Sequence, residues 1–600
     1  PVLRQLIETI FNKMELAGEA GTLLKIEDEI ASIISTAKDE FNKELLRRKD
    51  EQGYFPGFAP RREATFFDFA ELTDETLFWD TAEERILKEL SAYADRAGSG
   101  MGQKRLFADD VAKGFAFIDL SRKRFDVVLM NPPFGEASSN SKQYIDDNYI
   151  KTKGDVLANF IERTIQLTEK TGLVGAITSR TCLFLSTMSG LREDVLGVEA
   201  DINLCVDLGD GVLDAMVETA AYTISKEQST AQYFRLVTED IKQESLERFC
   251  QDQSVVINRF VVKSETFRKL STTPYCYWVD ANVIDKISLP SIDPNAADVK
   301  VGLQTGDDFR FLRNFWECPI DSDEWVFFSK TEEAIAWHSP IQMKIRWVDE
   351  GYELKNFTDD KGKQRSALRS PQQYFKPGFS YMLRSSRLVP YIVPKGCIPT
   401  AGRSQVFPHE CKEIDVLAIC ASNIGSAVAR FRGEMFARPK FQAGMVQALP
   451  YKELNDKIKK NIENFMMSAI AEAKAYYSYD ETTLDYLGVK TLEAKQAPQT
   501  SFTSLIGAQN ELQIAECFGI DEDEYDDLTL DLQQAVSLRK GINEAAEDDL
   551  LKHSALQHLS FLIGCAFGRW DAGFTGSYKM TDIYEQLPNQ PPIFKRNDLN

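Results

Sequence analysis

The sequence contains no run of 18 apolar residues, so no membrane-spanning helix is expected. It has only four histidines, His338, His409, His553 and His558, too few for a His-rich zinc site, and no metal is expected. Its ten cysteines come no closer than Cys411 and Cys420. That leaves no CxxC pair and no disulfide framework, and it fits a reducing cytosol. The chain opens PVLRQLIETI, without the basic-then-apolar leader of a secretory signal. Positive charge is also scarce: 70 Lys+Arg against 92 Asp+Glu give −22, which taken alone argues against a polyanion partner. Internal repeats and low-complexity tracts are lacking.

What is present is a folded chain of several domains' length, 43% hydrophobic and 27% charged. Its charge is unevenly spread. Residues 361–440 carry 14 Lys+Arg and 4 Asp+Glu, a local +10, whereas residues 451–600 carry 14 and 25, or −11. A basic island in an acidic chain can be a polyanion footprint or a fluctuation of surface composition.

Hydrophobic periodicity predicts helices over much of residues 1–50, an irregular aromatic stretch over 51–80, and an amphipathic helix at 81–98. From about 105 to 230 the pattern alternates. GFAFIDL, FDVVLM, GLVGAIT, INLCVDLG and AAYTISK read as short buried strands, a helix runs from about Val156 to Glu169, and REDVLGV ends another. Such alternation predicts an α/β fold with a parallel sheet. Residues 231–300 read as a connector with some strand, 301–450 as an α+β domain, and 451–600 as mainly helical. The acidic run IDEDEYDDL (520–528) reads as a solvated loop and helix start.

The strongest local signal is Phe125-Asp126-Val127-Val128-Leu129-Met130-Asn131-Pro132-Pro133-Phe134-Gly135, a strand running directly into Asn-Pro-Pro-Phe. In open α/β sheets, ligands bind beyond the carboxyl ends of strands, where this loop falls. Each residue before a proline is pushed into extended geometry, so Asn131 and Pro132 are held stiffly. The prolines lack N–H groups, and the backbone there presents carbonyls. The Asn131 side-chain oxygen and the Pro132 carbonyl can accept hydrogen bonds from one NH2 group. Two acceptors off the ring plane favour a tetrahedral nitrogen and free the lone pair of an aromatic amine. Phe134 offers a face on which a flat base can stack.

FDVVLMNPPFG resembles motif IV of the amino-group DNA methyltransferases in their N6-adenine form. Asp155–Arg163 is similar to the helix after the catalytic loop, and Gly172–Thr178 to the next strand. Gly302-Leu303-Gln304-Thr305-Gly306-Asp307-Asp308 with Phe311-Leu312-Arg313 is similar to the start of the target-recognition domain of large restriction-type methylases. Tyr374–Gly378 and Phe441–Val446 resemble later segments of that domain. Leu562–Trp570 resembles a C-terminal element of the PglX-like methylases of phage-defence (BREX-type) systems.

The resemblance implies a Rossmann-like S-adenosylmethionine-dependent methyltransferase sheet, N-terminally incomplete, within residues 1–230 (helical over 1–104, sheet-forming over 105–230). It also implies a connector at 231–300, an α+β target-recognition domain at 301–450 and a helical C-terminal region at 451–600. The implied activity is methylation of N6 of a flipped adenine in double-stranded DNA, with other subunits of a defence system as candidate partners. In that reading Asn131, Pro132 and Pro133 form the amine site, Phe134 stacks on the base, and Asp109 or Asp110 lies near the cofactor. Arg384, Arg387, Lys395 and Arg403, in the basic island beside turns expected to be exposed, are candidate DNA contacts.

One departure stands out. No Gly-rich cofactor loop after a buried strand precedes Asn131. Ala97–Gly102 has glycines but follows a charged helix. Asp207-Leu208-Gly209-Asp210-Gly211 follows a strand and would line the cofactor in a permuted motif order. Two other readings stay open: a methylase of another planar amine (an RNA base or a protein glutamine), and a catalytically incomplete DNA-recognition subunit or fragment.

Overall fold

The computed structural model describes residues 19–28, 120–213, 217–227, 230–239, 241–251, 258–318, 322–330, 336–433, 439–478 and 504–540, with a few isolated positions besides. The helices expected before residue 105, and Asp109 and Asp110, lie essentially outside the described residues. The chain divides into two compact units. The first comprises residues 1–179, 194–205 and 220–229, and the second 180–193, 206–219 and 230–600.

The α/β expectation holds. A six-stranded sheet is built from β1 (Phe125–Met130), β2 (Thr168–Ser179), β3 (Asp201–Gly209), β4 (Thr219–Ser225), β5 (Thr230–Arg235) and β6 (Arg259–Lys263). Their order is β1-β2-β4-β3-β5-β6. β1 and β2 run parallel, with Met130 opposite Ala176. α1 (Lys142–Asn148) and α2 (Val156–Leu167) lie on the crossover between them, as a parallel pair requires. α2 begins on Asp155, whose carboxylate accepts the Leu157 N–H at 2.9 Å. Its inner face packs against β1, where the Thr164 hydroxyl meets Met130 Sδ at 3.7 Å.

Two sequence expectations need correction. β1 is not buried on both faces: Val127 is 58% and Leu129 79% exposed. β1 is the edge strand among the described residues, and α2 covers one of its faces. Residues 231–300 are also more than a connector. They supply most of β5 and all of β6, antiparallel to each other, with α3 (Lys242–Gln251) between them and α4 (Ala281–Ile287) after them. Their polar composition reflects strands at the sheet's far end, with exposed positions such as Val261.

From residue 297 the chain forms short strands, as the Gly/Pro-punctuated pattern predicts. In chain order they begin with β7 (Ala297–Lys300), β8 (Leu303–Gln304), β9 (Leu312–Asn314), β10 (Trp325–Phe328) and β11 (Met343–Arg346). β12 (Ala367–Leu368), β13 (Gly378–Tyr381), β14 (Pro390–Val393), β15 (Cys397–Ile398) and β16 (Gln405–Pro408) follow. β7, β13, β14 and β16 make one antiparallel sheet, β9, β10, β11 and β15 a mixed one in which β15 runs parallel to β10, and β8 pairs with β12. Phe311, Phe328, Ile345 and Tyr374 form a core beside the second of these sheets. Gly302 sits where a Cβ would come 2.0 Å from the Pro399 carbonyl oxygen, so only glycine fits. Buried helices α5 (Glu413–Ala421) and α6 (Asn423–Arg430) follow. Then come α7 (Asp456–Tyr477), α8 (Ala508–Phe518) and α9 (Glu522–Lys540). The acidic run becomes the first turns of α9, with Tyr525 and Leu528 facing inward. The acids suit a helix N-terminus.

Candidate functional site

The Asn131–Gly135 loop leaves the carboxyl end of β1, as the sequence pattern predicts. Asn131 is exposed, Pro132 buried, Pro133 exposed, and Phe134 is 40% exposed. Asn131 makes no hydrogen bond to any described residue. Pro132, wedged inside, fixes the loop, and the residues on either side of the proline pair face outward.

The loop is anchored at its far end by a residue whose role in the site was not assigned from the sequence. Asp155 Oδ1 accepts the Gly135 N–H at 3.1 Å while it caps α2. The Gly135 carbonyl in turn accepts the Val156 N–H at 2.9 Å. Gly135 has φ +106, a conformation that favours glycine. Burial raises the Asp155 carboxyl above its ordinary value, against two backbone hydrogen bonds that favour its charged form. The signal was legible in principle as an Asp immediately before a helical pattern.

The permuted cofactor reading meets a physical obstacle. Both oxygens of Asp207 are held by Arg180, from Nε and Nη2 at 2.8 Å each. The Tyr277 hydroxyl also donates to Asp207 at 2.7 Å, and Asp207 is buried. Its carboxylate serves a structural network and is not presented to a ribose. Ala97–Gly102, the other candidate, lies outside the described residues. Among the described residues, no cluster of three or more His, Cys, Asp or Glu could hold a metal, and no helix is long and apolar enough to cross a membrane.

The basic island separates into two kinds of cation. Arg384 and Lys395 are exposed. Arg403 is half-buried, its guanidinium 5.7 Å from the Tyr391 ring centroid. Arg387, expected at the surface, is instead buried. Its Nη2 donates to Asn423 Oδ1 at 2.5 Å, and Glu511 lies 4.0 Å away. The turn it borders packs against α6, so it braces that contact, and burial lowers its basicity. Arg432, also counted in the island, is buried, with its Nε on Thr272 Oγ1 at 3.0 Å.

Comparison with known proteins agrees with the motif. Residues 68–211 match the family model described as Eco57I restriction-modification methylase. The adenine-specific methyltransferase PglX of Lacticaseibacillus casei (strain Zhang) is 24% identical over 282 residues, covering 43% of this chain and 23% of PglX. Among solved structures, the Type IIL restriction-modification enzyme MmeI in complex with DNA aligns with a TM-score of 0.41 at 13% identity, over 72% of this chain and 57% of that one. The DrdV–DNA complex aligns with a TM-score of 0.37 at 11% identity, over 72% and 59%. The chain thus spans under a quarter of PglX and somewhat over half of MmeI. The restriction-modification methylase resemblance read from the sequence is borne out.

Proposed function

We propose that this chain belongs to a site-specific DNA methyltransferase that moves a methyl group from S-adenosylmethionine to N6 of a flipped adenine, in restriction-modification or phage defence. The observation that carries this reading is the Asn131–Phe134 loop: stiff, anchored through Gly135 and Asp155, and open to a ligand at the carboxyl end of a parallel strand. The family match and the PglX relative support it. In this reading the first sheet is Rossmann-like, residues 301–450 recognise the target, 451–600 are a helical C-terminal region, and double-stranded DNA is the partner, alongside further subunits of a defence system.

The chain's own residues supply the amine side of the reaction. The extruded adenine stacks on Phe134. Its N6 amino group donates one hydrogen bond to Asn131 Oδ1 and one to the Pro132 carbonyl. This draws the nitrogen toward tetrahedral geometry and frees its lone pair for attack. The proton leaves after transfer, so no general base need act first. S-adenosylmethionine supplies the electrophilic methyl group when bound.

The test is Asn131→Ala in the full-length enzyme. Methyl transfer to DNA should fall by about 100-fold or more, as when a preorganised polar group is removed from a reacting centre. DNA affinity should stay nearly unchanged, because most of it comes from phosphate contacts. Unchanged turnover would overturn the assignment.

A further inference from the structure

The mixed sheet turns Leu312, Val326 and Ile345 toward one core. Strand alternation sends their neighbours Arg313, Trp325 and Arg346 to the opposite face, with Trp325 paired across from Arg346. Just before Arg313, the helical turn Asp308–Phe311 carries Phe309, which is 90% exposed. An apolar side chain alone at a surface is ordinary. This one is held in place. A Cβ on Gly306 would come 2.6 Å from the Arg365 carbonyl oxygen, so the turn lies close against the chain at Arg365. Asp307 Oδ1 accepts the Arg310 N–H at 3.1 Å. Arg313 Nη1 donates to the Phe309 carbonyl at 2.5 Å and to the Leu312 carbonyl at 2.6 Å. The same guanidinium lies over the Phe309 ring and over the Trp325 ring, 5.8 Å from each centroid.

The surroundings narrow the choice of partner. Between residues 262 and 464, Phe309 and Tyr352 are the large hydrophobic side chains that stand exposed among the described residues. Two rings offer far less apolar surface than a stable protein partner covers. The nearby carboxylates are already engaged. Glu353 is shared by Arg310 at 2.6 Å and Arg346 at 2.9 Å, and Asp308 pairs with Lys330. Arg313 pairs with no carboxylate among the described residues. A braced ring beside such a guanidinium suits a ligand that joins a flat face to a negative charge, as a nucleotide does. Because the ring is fixed beforehand, little ordering entropy opposes the contact.

We propose that Phe309 is a base-stacking residue of the second unit: an unpaired DNA base lies on the ring face turned away from Arg313, and Arg313 attracts the phosphates of that strand. The base is a different one from the adenine assigned to Phe134, which belongs to the first unit. Extrusion of an adenine leaves its partner base unpaired, so a duplex undergoing the reaction supplies such a base. Any base can serve, since each has a π face. The choice of DNA as ligand rests on the reading given above.

The test uses the full-length protein and two probes, a thymidylate strand of about 20 nucleotides, long enough to track a binding groove, and an abasic strand of the same length. Phe309→Ala should weaken binding to the thymidylate strand by roughly tenfold and leave binding to the abasic strand unchanged. The salt slope should stay as it is, because no charge is lost. Phe309→Trp should keep the affinity. Phe309→Leu should lose it as alanine does, because leucine has apolar bulk without a flat face. Should Phe309→Ala lose stability, the leucine and tryptophan variants still decide. The probes contain no adenine and need no cofactor, so the result is independent of methyl transfer. Stacking kept while transfer fails would sink only the earlier reading. Unchanged thymidylate binding in Phe309→Ala, equal losses on both strands, or rescue by leucine would overturn this proposal. So would a dimer that dissociates in Phe309→Ala with thymidylate binding intact, since the ring would then face a second copy of the chain.

Discussion

The Asn131–Phe134 loop and the buried arginine networks of the second unit are opposite solutions to holding polar groups in place. The loop spans consecutive residues, is stiffened by two prolines, and leaves Asn131 exposed without a partner among the described residues. The networks draw Arg180, Asp207 and Glu218, and Arg235 and Asp531, from separated segments of the chain and bind their charges to one another. A loop of local rigidity can keep an acceptor free at little cost. Buried charges brought together from distant segments need partners, because an unpaired one would be expelled or neutralised. In the loop a substitution is expected to change chemistry, and in the arginine networks it is expected to change stability first.

The largest stability effect should come from Asp207→Asn. It breaks a two-pronged pairing with a buried arginine, leaving Glu218 as the carboxylate on Arg180. A loss of about 3 kcal/mol is expected from the urea midpoint. A loss below about 0.5 kcal/mol would erase the contrast between the two regions. Phe134→Ala should leave the melting temperature unchanged and weaken capture of an extruded base by about 1–3 kcal/mol, read as binding to DNA carrying an unpaired adenine. If the fold loosens as well, the loop is not an independent platform.

Glu511 sharpens the comparison through pH. It is buried on α8, accepts from the Asn423 N–H and the Ser504 hydroxyl at 2.9 Å each, and burial raises its pKa from 4.5 to about 7. The folded state therefore holds its proton more tightly than the unfolded chain does. Stability should decline as pH rises from about 4.5 to about 7, and the loss should persist above that. Glu511→Gln should flatten this slope by on the order of 1–3 kcal/mol in denaturation measured from about pH 4.5 to 8. An unchanged slope would show that the carboxyl is not the titrating group.

The smallest effects concern exposed cations. Arg384→Glu and Lys395→Glu should each weaken binding to all DNA sequences and lower the salt slope by about one unit. Arg387→Glu should act differently, by unfolding the contact with α6, and its defect should appear in thermal stability first.

These contrasts mark what could be read in the sequence. The α/β alternation was legible because strand and helix periods differ, and β2, β3, β4 and α2 fall where the patterns predict. The catalytic-type loop was legible because its constraint is local: proline fixes its neighbours whatever surrounds them. The edge position of β1 among the described residues was not legible, since a short apolar run reads the same in a covered strand as in one exposed on a face. The roles of β5 and β6 were hidden by polar residues that only their place in the sheet explains. Arg387 looked like a surface cation because its partners, Asn423 and Glu511, lie 36 and 124 residues away. The Arg180 network has no sequence signature, because nothing in the spacing of Arg180, Asp207 and Glu218 marks their convergence.

The measurement that bears most directly on the central claim is nucleoside mass spectrometry of duplex DNA treated with the full-length enzyme and methyl-labelled S-adenosylmethionine. The Asn131–Phe134 geometry predicts label on the exocyclic amine of adenine, as N6-methyldeoxyadenosine, and its loss in Asn131→Ala. Label on cytosine C5, or on a protein glutamine with none in DNA, would contradict the account.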